Sequence, residues 1–177
     1  MPGTSEGLTT TLDLLSSTEN EAAVRVLVHG LNSAKRTLRD GALAGLLKRR
    51  SPAGHREIIR RLHTLDDHQM GLLREYRGRM RQAPRDAILD SDRQTCINGC
   101  RAALWLSEYD LVPTMTTALE DPASPNAALV AESLLELVRQ LYRELSEPSV
   151  SGDRRDPRVL RGHVTTALEA SLGRFAR

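Results

Sequence analysis

Two cysteines stand four residues apart in the stretch CINGCRAALW, at Cys96 and Cys100. On a helix this spacing puts both sulfurs on one face, where thiols can bind a metal, form a redox couple or pack. A zinc site needs four ligands, and the chain has no further cysteine. A disulfide within one helical turn meets unfavourable side-chain directions. Free cysteine behaves as a small hydrophobe, and Ile97, Ala103 and Leu104 flank the pair, so the pattern predicts a buried stripe. His29, His55, His63, His68 and His163 form no metal-ligand spacing. No His-Glu-x-x-His, Gly-rich phosphate loop or Gly-x-Ser-x-Gly occurs. Asp86, Asp90 and Asp92 lack the spacing of a calcium loop and read as helix-end residues. Glu132 and Glu136 read as solvated on a helix. The expectation is a non-enzyme, with no catalytic, cofactor-binding or metal-binding residues.

Binding chemistry is better represented. All but two of the 25 basic residues are arginine. They are unevenly placed: residues 35–85 carry a net charge of +9, whereas 86–153 carry −8. Arg56 and Arg60 are four apart, as are Arg77 and Arg81, so each pair shares a helical face. Such a block fits a solvated face, a face paired with the acidic stretch, a protein contact or a phosphate-binding surface. A single aromatic residue, Tyr76, lies within it, which does not make an interleaved base-stacking platform. Trp105, the only tryptophan, shares a helical-wheel face with Arg101, Asn98 and Gln94, away from the cysteines. Tryptophan beside arginine is a frequent binding anchor; packing against a neighbouring helix is the alternative. The candidate partner contacts are Arg56, Arg60, Arg74, Arg77, Arg81, Arg101 and Trp105.

The elements carrying these residues read as helices throughout. Aromatic content is only 3%, and a Leu, Ala and Val core suits helices better than strands. A short piece, LTTTLDLL, precedes a helix capped by Ser17 or Thr18, with Ala23, Val24, Leu27, Val28 and Leu31 at three-four spacing. Next comes a helix with Leu38, Ala42, Leu43, Leu46 and Leu47 on one face. Ser51-Pro52 restarts the chain for Ile58, Ile59, Leu62 and Leu65. Asp66-Asp67 opens a helix holding Met70, Leu73 and Met80. PRDAIL leads to Asp90-Ser91-Asp92, which caps the cysteine helix. Pro113 marks another helix start, residues 121–126 form a loop, and a long helix runs from about Ala127 to Leu145. The last helix begins near Pro157 and carries Leu160, Val164, Leu168, Leu172 and Phe175. No run of about 18 apolar residues occurs, so no membrane span is expected. The first residues lack the basic and apolar regions of a signal peptide. Two cysteines are not a disulfide framework, so a cytoplasmic location is expected.

A repeat lies within this pattern. Val24, Leu27 and Leu31 map onto Val112, Met115 and Leu119 at a shift of 88, and Leu38, Leu43, Leu46 and Leu47 onto Leu129, Leu134, Leu137 and Val138 at a shift of 91. That is two units of about 45 residues, a helical-pair period. Residues 99–122, GCRAALWLSEYDLVPTMTTALEDP, resemble the junction of two HEAT repeats. Cys100, Ala102 and Leu106 stand where that family ends a helix, and Glu108 lies in its acidic turn. Val112-Pro113 and Met115 stand at the next start, and Ala118, Leu119, Asp121 and Pro122 at its close. Residues 24–47 carry a second copy, with Leu38-Arg39 for the usual Val-Arg.

The resemblance implies an all-α, right-handed α-α superhelix, a HEAT-like (armadillo-type) solenoid of about four antiparallel helix pairs. Residues 1–17 would form a cap or tail and 18–177 the repeat domain, with a linker-like loop at about 146–157. The function implied is a non-catalytic scaffold for a protein partner, acidic if the arginines meet it. Alternatives are a nucleic-acid-binding HEAT-like domain using residues 35–85, similar to DNA-alkylation-repeat proteins, and an accessory subunit resembling those of bilin lyases. The apolar last helix is expected to pack inward, with self-association through it as the other possibility.

Overall fold

The computed structural model of the chain describes residues 3–80, 82–146 and 156–175, and among these it is all-α, with no strand. It divides into two compact units, one ending at Ala83 and the other beginning at Pro84.

The first unit contains α1 (Gly3–Ser17), α2 (Ala22–Gly30), α3 (Arg36–Arg49), α4 (Pro52–Arg60) and α5 (Asp67–Glu75). α3 is its centre: α1, α2, α4 and α5 all pack on it. Ala42, Leu43, Leu46 and Leu47 of α3 are fully buried, with Val24, Leu27, Ile58, Ile59, Met70 and Leu73. Each large side chain of this kind contributes about 1.5–3 kcal/mol when removed from water. Gly41 lies against the Leu12 side chain where α1 packs on α3.

Caps fix where the elements begin. Ser51 accepts from Gly54 N at 3.4 Å, and Pro52 follows at the first helical position. Asp66 and Gln69 form a capping box, and Gln69 also donates to Asp40 on α3 at 3.0 Å. Two sequence expectations are corrected here. Ser17 and Thr18 do not cap α2, because α1 extends through Ser17 and the Ser16 and Ser17 hydroxyls bond back to the Asp13 carbonyl. Asn20 Oδ1 instead accepts from Ala22 N at 2.9 Å. Met80 is buried but not helical, since α5 ends at Glu75 and Gly78 takes a φ of 79°.

The second unit contains α7 (Arg93–Trp105), α8 (Val112–Glu120), α9 (Ala127–Ser146) and α10 (Pro157–Phe175); α6 (Gln82–Ile88) leads into it. Asp92 caps α7 by accepting from Thr95 N at 2.8 Å. α7 and α8 pack on α9, and α10 packs on α8. Leu160 and Val164 of α10 turn into the core, while Leu172 is 68% exposed. Most of the expected linker, residues 147–155, lies outside the described residues.

The two units share a plan. Each has a nine-residue helix, α2 or α8, packed on a longer one, α3 or α9. α1 and α7 pack on that longer helix, and α4 and α10 on the nine-residue one. Six of the seven repeat pairs also match in burial, the exception being Leu47, fully buried, against half-buried Val138. Val24, Leu27, Leu43 and Leu46 are buried, as are Val112, Met115, Leu134 and Leu137; Leu31, Leu119, Leu38 and Leu129 are all half-buried.

Candidate partner-binding groove

α4 presents two chemically distinct faces. Gly54, His55, Ile58 and Ile59 turn inward, which brings Ala53, Arg56, Glu57, Arg60 and Arg61 to the opposite side. Together with α2 they enclose an open groove of about 620 Å³. Val24, Val28 and Ala53 give it an apolar floor; Arg25 of α2 and Arg56 of α4 add charge from the two helices. Four guanidiniums thus face one carboxylate, and that carboxylate is engaged. Glu57 Oε1 accepts from Arg60 Nη1 at 2.9 Å, and Oε2 accepts from Arg61. Arg56 Nε reaches the Pro52 carbonyl at 3.4 Å. Among the described residues, neither Arg25 nor Arg56 has a carboxylate partner, and both are exposed. Such a surface carries positive potential over an apolar floor.

The remaining arginines of the basic block are dispersed. Arg74 is exposed in α5, Arg77 is half-buried in the turn after it, and neither lines the groove; Arg81 lies outside the described residues. Arg79 sits over the Tyr76 ring at 5.1 Å. Arg39 donates to the Ser33 and Ala34 carbonyls at 2.9 and 3.0 Å. Arg49 is structural: its side chain is 4% exposed and donates to the carbonyls of Leu15 (2.8 Å), Thr18 and Asn20 (3.0 Å). It closes the C-terminal end of α1, where helix carbonyls lack intrahelical partners. Sequence reasoning missed Arg25, which stands alone in an apolar helix, and His55. The His55 ring is buried, bonds to the Leu47 carbonyl and leaves Nε2 without a polar partner. Burial holds its pKa below the ordinary 6.5 against the opposing effect of that bond.

Arg101 and Trp105 belong to the second unit. Arg101 is exposed and Trp105 half-buried at the end of α7. The face they share with Asn98 is only partly open, because Asn98 is fully buried and accepts from Gln94 at 3.1 Å. Cys96 and Cys100 are free thiols in the core cluster, and Cys96 Sγ donates to the Ile88 carbonyl at 3.4 Å. The Cys100 sulfur beside it, and then burial, push the Cys96 thiol well above its ordinary range.

A second groove, of about 470 Å³, lies between α8 and α10. It occupies the equivalent place in the shared plan: Arg25 and Val28 correspond to Pro113 and Thr116 at the shift of 88. On the other wall, Ala53, Arg56, Glu57 and Arg60 have the same spacing as His163, Thr166, Ala167 and Ala170. The geometry repeats but the arginines do not. One end is pinned by Glu120, which accepts from Ser171 at 2.7 Å and from Arg174 at 2.6 and 2.7 Å. A third groove, of about 690 Å³ between α1 and α3, has a small-residue floor at Gly41, Ala44 and Gly45. Asp13 and the chain's two lysines, Lys35 and Lys48, stand around it, two cations to one anion.

The chain matches no model of a known protein family, and a search of curated proteins finds no significant relative.

Proposed function

We propose that this chain is a non-catalytic interaction module of HEAT-like, α-α superhelical construction that holds an acidic segment of a protein partner between α2 and α4. The observation that carries the reading is the pairing of Arg25 and Arg56, neither with a carboxylate partner among the described residues, over the apolar floor of Val24, Val28 and Ala53. Carboxylates of an incoming segment meet the two guanidiniums, and its aliphatic side chains meet the floor. Nucleic acid is the weaker occupant, because no aromatic residue lines the groove to stack a base. The HEAT-like part of the reading draws on the repeated plan of the two units and their matched burial. A cytoplasmic setting accords with two unpaired thiols. Arg74, Arg77, Arg101 and Trp105 do not line this groove, and Arg81 lies outside the described residues. Self-association through α10 has less support, since Leu160 and Val164 face their own core.

Fluorescence anisotropy tests the reading. The probe is a labelled peptide of about twelve residues mixing glutamate and leucine. The chain binds it, added salt weakens binding, and Arg25→Glu with Arg56→Glu abolishes it. Equal affinity of parent and double variant refutes the groove. Tighter binding of a single-stranded oligonucleotide than of the peptide favours the nucleic-acid alternative.

A further inference from the structure

The arginines of α4 stand beside a residue that can withdraw them. His55 precedes Arg56 in sequence but faces the other way, 4% exposed within the first unit. Its ring bonds to the carbonyl of Leu47, near the end of α3, and its buried Nε2 has no polar partner. A neutral imidazole tolerates this arrangement, with one nitrogen donating and the other a bare lone pair. A proton at Nε2 creates an N–H donor and a full charge at a site that satisfies neither.

Among the described residues no carboxylate bonds to the His55 ring; Glu21, just before α2, reaches the start of α4, where it accepts from Ser51 Oγ at 3.3 Å and pairs with Arg49 at 3.8 Å. α2 offers Arg25 and His29, and the turn Leu62–Thr64 offers His63. The one acid of α3, Asp40, accepts from Gln69 and pairs with Arg36, while the last turn of α3 carries Lys48 and Arg49. On α4 itself, Glu57 is engaged by Arg60 and Arg61. The other four histidines of the chain are exposed.

We propose that His55 is an acid-operated release for the arginine groove: protonation at Nε2 drives the ring from the core, unseats α4, and separates Arg56 from Arg25. The inference rests on the groove being a binding site, and it assigns that site a regulation by pH. At neutral pH the groove is assembled. Below the ordinary histidine range, α4 opens and an acidic partner is released.

Hydrogen exchange of the full chain, without partner, tests this at about pH 7.5 and about pH 5.5. After correction for intrinsic rates, α4 amides are expected to exchange about tenfold faster at the lower pH. His55→Asn preserves a donor toward the Leu47 carbonyl but cannot take up the proton, so it removes the acceleration. The parent chain supplies a measurement that needs no variant. In an NMR titration the His55 ring stays neutral while α4 is protected, and its protonation coincides with loss of that protection. Protonation of His55 with α4 still protected, or equal acid lability of parent and His55→Asn, overturns the proposal. Failure to bind the acidic peptide at about pH 7.5, with the exchange result intact, overturns the groove reading instead.

Discussion

Replacing Arg49 distinguishes a buried cap from one more surface arginine. Three carbonyls at or just beyond the end of α1, those of Leu15, Thr18 and Asn20, accept from its guanidinium. A hydrogen bond from a charged donor contributes about 1.5–3 kcal/mol. Three bonds at the lower value, offset by about 1–3 kcal/mol for a buried Nε without a partner, leave roughly 3 kcal/mol. Arg49→Met keeps much of the apolar stem and removes every donor. With a urea dependence of about 2 kcal/mol per molar, the unfolding midpoint falls by about 1.5 M. Arg56→Met, at an exposed site on α4, shifts stability by less than about 0.5 kcal/mol. Urea titrations followed by far-ultraviolet circular dichroism measure both. Two variants indistinguishable from the parent would refute the cap and return Arg49 to the surface block.

Other substitutions test the packing and the titrating groups. A Cβ at Gly99 would stand 2.8 Å from the Ile88 backbone nitrogen and 2.9 Å from Ala87 Cβ, so Gly99→Ala destabilises by about 1–3 kcal/mol. Gly71 is exposed in α5 with nothing near its missing Cβ, so Gly71→Ala stabilises by up to about 1 kcal/mol; urea midpoints moving in opposite directions check both. Cys96 and Cys100 resist a thiol-specific reagent in the native chain and react fully in denaturant, whereas rapid labelling of both at neutral pH contradicts their burial. The folded-state pKa of His55 is lowered, so its contribution is present above 6.5 and lost as pH falls. Glu120 is held below its ordinary 4.5 by Arg174 and Ser171, so its contribution is also lost on acidification, but further down the scale. Residue-resolved exchange during acid titration therefore finds α4 opening before α10, and the reverse order contradicts this assignment.

Local patterns made much of the helical architecture legible. Three-four spacing marked α2, α3, α8 and α9, Ser51-Pro52 marked the start of α4, and Asp66 and Asp92 marked two more starts. The repeat followed because Val24 and Val112, or Leu46 and Leu137, do the same work in their own units. The α1–α2 junction misled because serine serves either end of a helix: Ser16 and Ser17 bond backward to Asp13. Arg49 could not be told from Arg50 by type or neighbours, since its partners are 29 to 34 residues away. The groove was half visible: Arg56 and Arg60 declare a face of α4, but Arg25 joins them only because α2 packs against that helix. Asn98 shows the same limit: the helical wheel groups it with exposed Arg101, and tertiary packing buries it fully.

A reciprocal charge swap asks whether an acidic segment lies between α2 and α4. The chain with Arg25→Glu and Arg56→Glu should bind a peptide whose glutamates are replaced by lysines, and the parent chain should not. That crossed preference is the expected outcome, measured by anisotropy at neutral pH. If the parent chain and the double variant rank the acidic and basic peptides identically, the segment does not lie between α2 and α4.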